Sequence, residues 1–239
     1  MKKILPFALI LAPLLFVSCE KEDPDPEEET NRAYVMIQNF MLGEESIQWV
    51  IGGVEMEGTQ SYGIPINGYK DLETTSQDIL FVAQNASGTT ALDSITLTME
   101  NGKYYLVALV GDDSGDTTIV RTLEGLTSAS GMVEAQFIHG SPGAEPIDVY
   151  LGGTDPEDRA ISDLAFGHLS DAVLVEGYNI RYSLIIADHA DSYEESDKQL
   201  EYLLSDQILD NHSYLFILGH EDYSPDSDLA VWLYDLPIE

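Results

Sequence analysis

The sequence predicts an all-β protein: two tandem β-sandwich domains behind a cleaved signal peptide and a disordered acidic tether. Three observations predict it. The chain repeats itself at an offset of 100 residues. Its short runs of Val, Ile, Leu and Tyr alternate with period two and are broken by Gly, Asn and Asp. No long amphipathic helix interrupts them, and "DSYEESDKQLEYLLSDQILD" (191–210) reads at most as a helical turn or two.

Residues 1–18 read as the signal peptide. Lys2 and Lys3 form a positive start, and Ile4–Val17 is an apolar run of signal-peptide length, short for a membrane span. "FVSC" then ends on Cys19, the only cysteine of the chain, which has no disulfide partner and resembles the acylated cysteine of a bacterial lipoprotein. Two or three acyl chains there would hold the protein on a membrane, each buried methylene contributing about 0.8 kcal/mol. Residues 19–31 form the tether. "EKEDPDPEEET" (20–30) carries seven acids and two prolines and no apolar side chain, so nothing offsets its ordering entropy. Acids directly behind such a cysteine resemble the export signal of Bacteroidota outer-membrane lipoproteins, so the expected location is the cell envelope, lipid-anchored at the outer membrane and surface-exposed.

The first domain, 32–123, opens with "AYVMIQNFMLGEESIQWVIGG" (33–53), and the second, 132–239, with "VEAQFIHGSPGAEPIDVYLGG" (133–153). Gly43 matches Gly143, Glu45 matches Glu145, and Gly52-Gly53 match Gly152-Gly153 without a gap. Between the domains "EGLTSASG" (124–131) is small, polar and glycine-flanked, as a linker is. In the opening strands Ala33, Val35, Ile37 and Val133, Ala135, Phe137 share one parity and face the core. Ile47, Trp49, Ile51 and Ile147, Val149, Leu151 do the same in the second strands. Further strands are expected at 78–84, 92–98, 103–110 and 117–123, and at 181–187, 199–204, 213–218 and 229–234.

The stretch "FIHGSPGAEPIDVYLGG" (137–153) holds His, Ser and Asp close together, as a hydrolytic relay does. Parity argues against one: His139 points inward and Asp148 outward. Ser141 lies in a Gly-Ser-Pro-Gly turn, where local backbone is the expected partner of its hydroxyl. The first copy keeps the glycines but has Asn39, Met41 and Gln48 in the three positions.

These residues resemble the opening signature of the domain of unknown function 4397 family: a strand ending at His139, a turn at Ser141-Pro142, then Pro146 and an Asp148-Val149-Tyr150 strand running to Gly153. The resemblance implies an immunoglobulin-like sandwich outside the cytoplasm, often in tandem and on lipoproteins. It implies no reaction, ligand or catalytic residue.

Formal net charge is −33, and loss of Lys2 and Lys3 makes the mature chain about two units more negative. No basic stripe exists to displace counterions from phosphates, which excludes nucleic acid as a partner. "GDDSGD" (111–116) places Asp112, Asp113 and Asp116 in a glycine-bracketed loop able to offer oxygens to calcium; the spacing is not that of an EF-hand, and acidic hairpins are ordinary on so acidic a chain. No other cofactor is expected. The histidines, at 139, 168, 189, 212 and 220, show no metal-ligand spacing and read as surface or strand-end residues. Tyr150, Trp232 and Tyr234 are the candidates for an exposed ligand-binding patch. The expected function is a non-enzymatic binding or structural module of the cell envelope. A glycan-binding or adhesin-like component is one alternative, and a hydrolase with an unrecognised site is another.

Overall fold

The computed structural model describes residues 31–64, 69–73, 78–112, 117–123 (backbone only), 131–176, 183–203, 212–224 and 226–236. The expected signal peptide, Cys19, the tether as far as residue 30 and residues 124–130 of the linker lie outside them.

The first half contributes β1 (Arg32–Met41), β2 (Ser46–Ile51), β3 (Val54–Glu55), β4 (Gln60–Ser61), β5 (Lys70–Glu73), β6 (Asp78–Asn85), β7 (Ala91–Thr98), β8 (Tyr104–Gly111) and β9 (Thr117–Leu123). One sheet has the order β5-β1-β8-β9; the other has the order β3-β2-β6-β7, with β4 also on β2. The second half contributes β10 (Met132–His139), β11 (Ile147–Leu151), β12 (Arg159–Leu164), β13 (Val173–Glu176), β14 (Leu184–Asp188), β15 (Lys198–Tyr202), β16 (Ser213–His220) and β17 (Leu229–Leu236). Its sheets run β13-β10-β16-β17 and β12-β11-β14-β15, the same plan again. In each half the opening strand lies parallel to the seventh principal strand, β1 on β8 and β10 on β16.

The layering is that of the expected sandwiches, with this 4-1-7-8 and 3-2-5-6 order inside the layers. The expected long strands are all present. The strands that periodicity missed are short or lie at sheet ends: β3, β4, β5, β12 and β13 have at most six residues each, too few for a period to register. Within 191–210 the turn is a 3-10 helix at Glu195–Asp197, followed by β15.

Odd-parity residues fill the two sandwich cores as expected. Ala33, Val35, Ile37, Ile47 and Trp49 join Phe81, Val107 and Leu109 in the first. Val133, Ala135, Phe137, Ile147 and Val149 join Ile186, Tyr214 and Phe216 in the second. A third core corrects the reading of even positions as outward. Met36, Phe40, Leu106, Ala108 and Val110 of the first half pack with Ile138, Leu215, Ile217, Tyr234 and Leu236 of the second. The sheet β5-β1-β8-β9 therefore lies face to face with the sheet β13-β10-β16-β17, and β16 is buried along its whole length. Phe40 anchors this layer, its ring meeting Tyr62, Trp232 and Tyr234 edge-on at 5.7, 5.8 and 6.4 Å. The Tyr234 hydroxyl donates across the layer to Gln38 Oε1 at 3.2 Å. Gly63, at φ +65°, lets the backbone approach Trp232 closely; a Cβ there would stand 2.5 Å from the indole.

Candidate functional site

His139 is wholly buried at the end of β10. Its Nδ1 accepts the Ser141 amide at 3.4 Å, and its Nε2–H donates to the Glu145 carbonyl at 3.2 Å. Burial holds its pKa below the ordinary imidazole value, so the neutral ring serves as a two-ended clamp on the turn. Asn39 performs the same task in the first half: its Oδ1 accepts the Met41 amide at 3.0 Å and its Nδ2 donates to the Glu44 carbonyl at 3.2 Å. An acceptor and a donor held on a short planar group are all the turn requires, and Asn and neutral His both supply them. His139→Asn is therefore expected to cost under about 1 kcal/mol. His139→Leu, which leaves two buried backbone groups unpaired, is expected to cost about 2–3 kcal/mol in urea unfolding.

The Ser141 hydroxyl is bonded not to local backbone but to His220 Nε2, at 3.1 Å. His220 Nδ1–H donates to the Ser227 carbonyl at 2.8 Å, which leaves Nε2 as the acceptor. His220 is also the hinge-pin of the joint between halves, its amide donating to the Tyr62 hydroxyl and its carbonyl accepting from Trp232 Nε1. Ser141 is 2% exposed, so this serine–histidine pair braces a joint rather than meeting a substrate. His139 and His220 thus lie at strand ends, as expected, and both are buried there.

Asp148 does point to the outer face of its sheet, but it is covered there and 0% exposed. It accepts three hydrogen bonds: from the Asp163 amide at 2.9 Å, from Arg159 Nη1 at 3.1 Å and from His189 Nδ1 at 2.8 Å. Its imidazole partner is thus His189, brought alongside by the pairing of β11 with β14, and not His139. Burial pushes the Asp148 carboxyl up, but the Asp163 amide, His189 and Arg159 together outweigh it and hold it below the ordinary value. The bond to Asp148 raises His189 and Arg159 in turn. A raised His189 favours the imidazolium, a charge partner for Asp148 rather than a general base. The Asp163 amide is aimed at Asp148 by a left-handed backbone, φ +56°, in a strand whose register on β11 shifts twice.

Beside this cluster lies a pocket of about 300 Å³ on the outer face of the β12-β11-β14-β15 sheet. Tyr150 and Tyr193 form its aromatic wall, rings 5.3 Å apart and inclined at 64°. Arg159 forms another side, its Nη1 also donating to the Ala190 carbonyl at 2.9 Å. Asp155, Asp191, Thr154 and Ser192 supply polar groups at the rim.

Of the three aromatic residues expected to form an exposed patch none is exposed: Tyr150 lines this pocket but is only 2% exposed, and the others do not reach it. Tyr234 is 6% exposed in the core between the halves, and Trp232 packs partly buried beside it. Their outward parity holds; the face they occupy is covered by the other sandwich. Asp112 is described and half-buried, while Asp113 and Asp116 lie outside the described residues. Among the described residues no group of three or more His, Cys, Asp or Glu is placed to hold a metal ion. Tyr193, Arg159 and His189 were missed by sequence reasoning.

No curated protein matches the chain. A solved structure, the crystal structure of CBMbc (family CBM26) from Eubacterium rectale Amy13K in complex with maltoheptaose, aligns over 87% of this chain and 98% of its own. Identity is 9% and the TM-score 0.23, so distant a likeness that it carries no weight for fold or ligand. A family model described as a domain of unknown function (DUF4397) matches residues 62–150, from just after β4 to Tyr150 in β11. That stretch takes in His139, Ser141 and Asp148, and the match supports the DUF4397 family for this part of the chain.

Proposed function

We propose that this chain is a non-enzymatic binding module of the cell envelope, anchored through acylated Cys19 and displayed at the outer surface, that takes a neutral saccharide in the pocket beside Tyr150. The anchor and location rest on the cysteine behind an apolar leader and on the acidic run after it. The observation that carries the binding reading is the pinned state of Arg159. Its guanidinium is fixed by a buried carboxylate and a carbonyl, directly beside two tyrosine rings. A site held in place by its own supports spends little entropy on ordering when a ligand arrives. The ring of Tyr193, lying against the buried Tyr150, offers a surface for the apolar face of a pyranose, and the mixed arginine, carboxylate and hydroxyl rim suits its hydroxyls. Because Asp148 already neutralises Arg159, the pocket has no net call for an anion.

The test is titration of the full chain in detergent against a panel of neutral oligosaccharides. Tyr193→Ala is expected to weaken binding about ten-fold, equivalent to about 1.4 kcal/mol, with an unchanged thermal melt. Absence of saturable binding to any member by the unaltered chain would discard the saccharide reading.

A further inference from the structure

The two halves differ at equivalent sheet ends. β5 and β13 occupy the same place, each antiparallel to an opening strand and each the last strand of its sheet. β5 reads Lys70-Asp71-Leu72-Glu73, with all three charged residues exposed and Asp71 paired to Arg32 at 2.7 Å. Charges on an end strand are the usual guard against pairing with another chain. β13 reads Val173-Leu174-Val175-Glu176 and carries a single charge, at its end. Leu174, in its middle, is 56% exposed.

Beside this unguarded strand runs a groove of about 420 Å³ between the two sheets of the second sandwich. Met132, Leu151, Ala160, Val173 and Val175 give it an apolar floor. Glu157, Asp158 and Glu176 stand at its rim. Among the described residues no strand pairs with the far edge of β13, so a strand laid along it would pair with that edge and drop alternate side chains into the groove, gaining main-chain and apolar contacts together.

We propose that β13 and this groove are a docking site for an extended segment of a partner protein, one that alternates apolar and basic residues. The rim acids select the basic positions. The same acids exclude the chain's own residues 20–30, which carry seven acids, and disfavour a second copy, which brings a formal charge of −33. This site is independent of the saccharide pocket, which lies on the outer face of the other sheet.

The test uses the full chain in detergent and a labelled heptapeptide alternating lysine and valine, read by fluorescence anisotropy. Saturable binding is expected. Leu174→Lys, an exposed substitution that leaves the thermal melt unchanged, is expected to weaken it at least ten-fold. Val54→Lys puts the same charge on exposed β3 and is expected to leave binding within two-fold. A peptide N-methylated at every residue keeps its charge but has no amide to donate along either edge, and is expected not to bind. Equal binding of the methylated peptide, or equal loss with Val54→Lys, would reduce the interaction to charge alone and overturn the proposal. So would no binding at all, or a dimer of the chain that Leu174→Lys dissolves.

Discussion

Phe40→Ala is expected to be the most damaging single truncation in the chain, costing about 3–5 kcal/mol. Phe40 is 0% exposed, and its ring is the common neighbour of Tyr62, Trp232 and Tyr234. Tyr62 belongs to the first half and the other two to the second, so the cavity would open where the halves meet. Collapse around it is opposed on both sides by strands paired along their length, β1 with β8 and β16 with β17. For a chain of this size each kcal/mol moves the melting midpoint by about 2–4 °C, so a fall of about 10 °C is expected in calorimetry. A shared core also has a consequence for cooperativity. Val110 and Ile217 belong to it, while their strand neighbours Leu109 and Phe216 belong to the separate sandwich cores. Neither half can open without exposing a layer of the other, and the unaltered chain is expected to unfold in one transition. Two resolved transitions, or a loss under 1 kcal/mol for Phe40→Ala, would mean that the joint contributes little.

That joint was legible in the sequence in a form that alternation conceals. "YYLVALV" (104–110) and "YLFIL" (214–218) are apolar at both parities, and a continuous apolar run is what a strand buried on both faces looks like. Met36, Phe40 and Ile138 are apolar at the parity assigned to solvent, for the same reason. The direction of Trp232 and Tyr234 was correct, yet direction alone does not say whether water or another sheet waits on that side. The clamp at His139 was legible through the repeat, since a residue exchangeable for Asn39 is doing geometry and not proton transfer. The Asp148–His189 pair was not. Its members stand 41 residues apart and meet only because β14 pairs with β11 in a register that sets Ile147 opposite Asp188. A register of that kind is fixed by the whole sheet and by the bulges of β12, and no local pattern carries it.

Asp148→Ala is expected to cost about 2–4 kcal/mol, because it strips the acceptor from the Asp163 amide and from two charged side chains at once. The Asp163 backbone, left-handed at φ +56°, would lose the bond that offsets its strain. The dependence on pH separates this from a packing defect. The Asp148 carboxyl lies below its ordinary value of 3.8 in the folded chain. Its contribution is therefore complete above that value and is lost as pH falls through the lower folded one. His189 is raised above its ordinary 6.5, so its contribution is complete below that value and fades as pH rises through the higher folded one. The His189 share is the smaller, since that side chain is 38% exposed and screened by water. The stability gap between the unaltered chain and Asp148→Asn should thus be widest between about pH 4 and 6.5 and narrow on either side. His189→Gln should flatten the alkaline limb and leave the acid one in place. Urea unfolding across pH 2.5–9 measures both limbs. A gap that does not vary with pH would mean that Asp148 acts by shape, with no ionic partnership behind it, and Arg159 would then owe its position beside Tyr150 to something other than that charge.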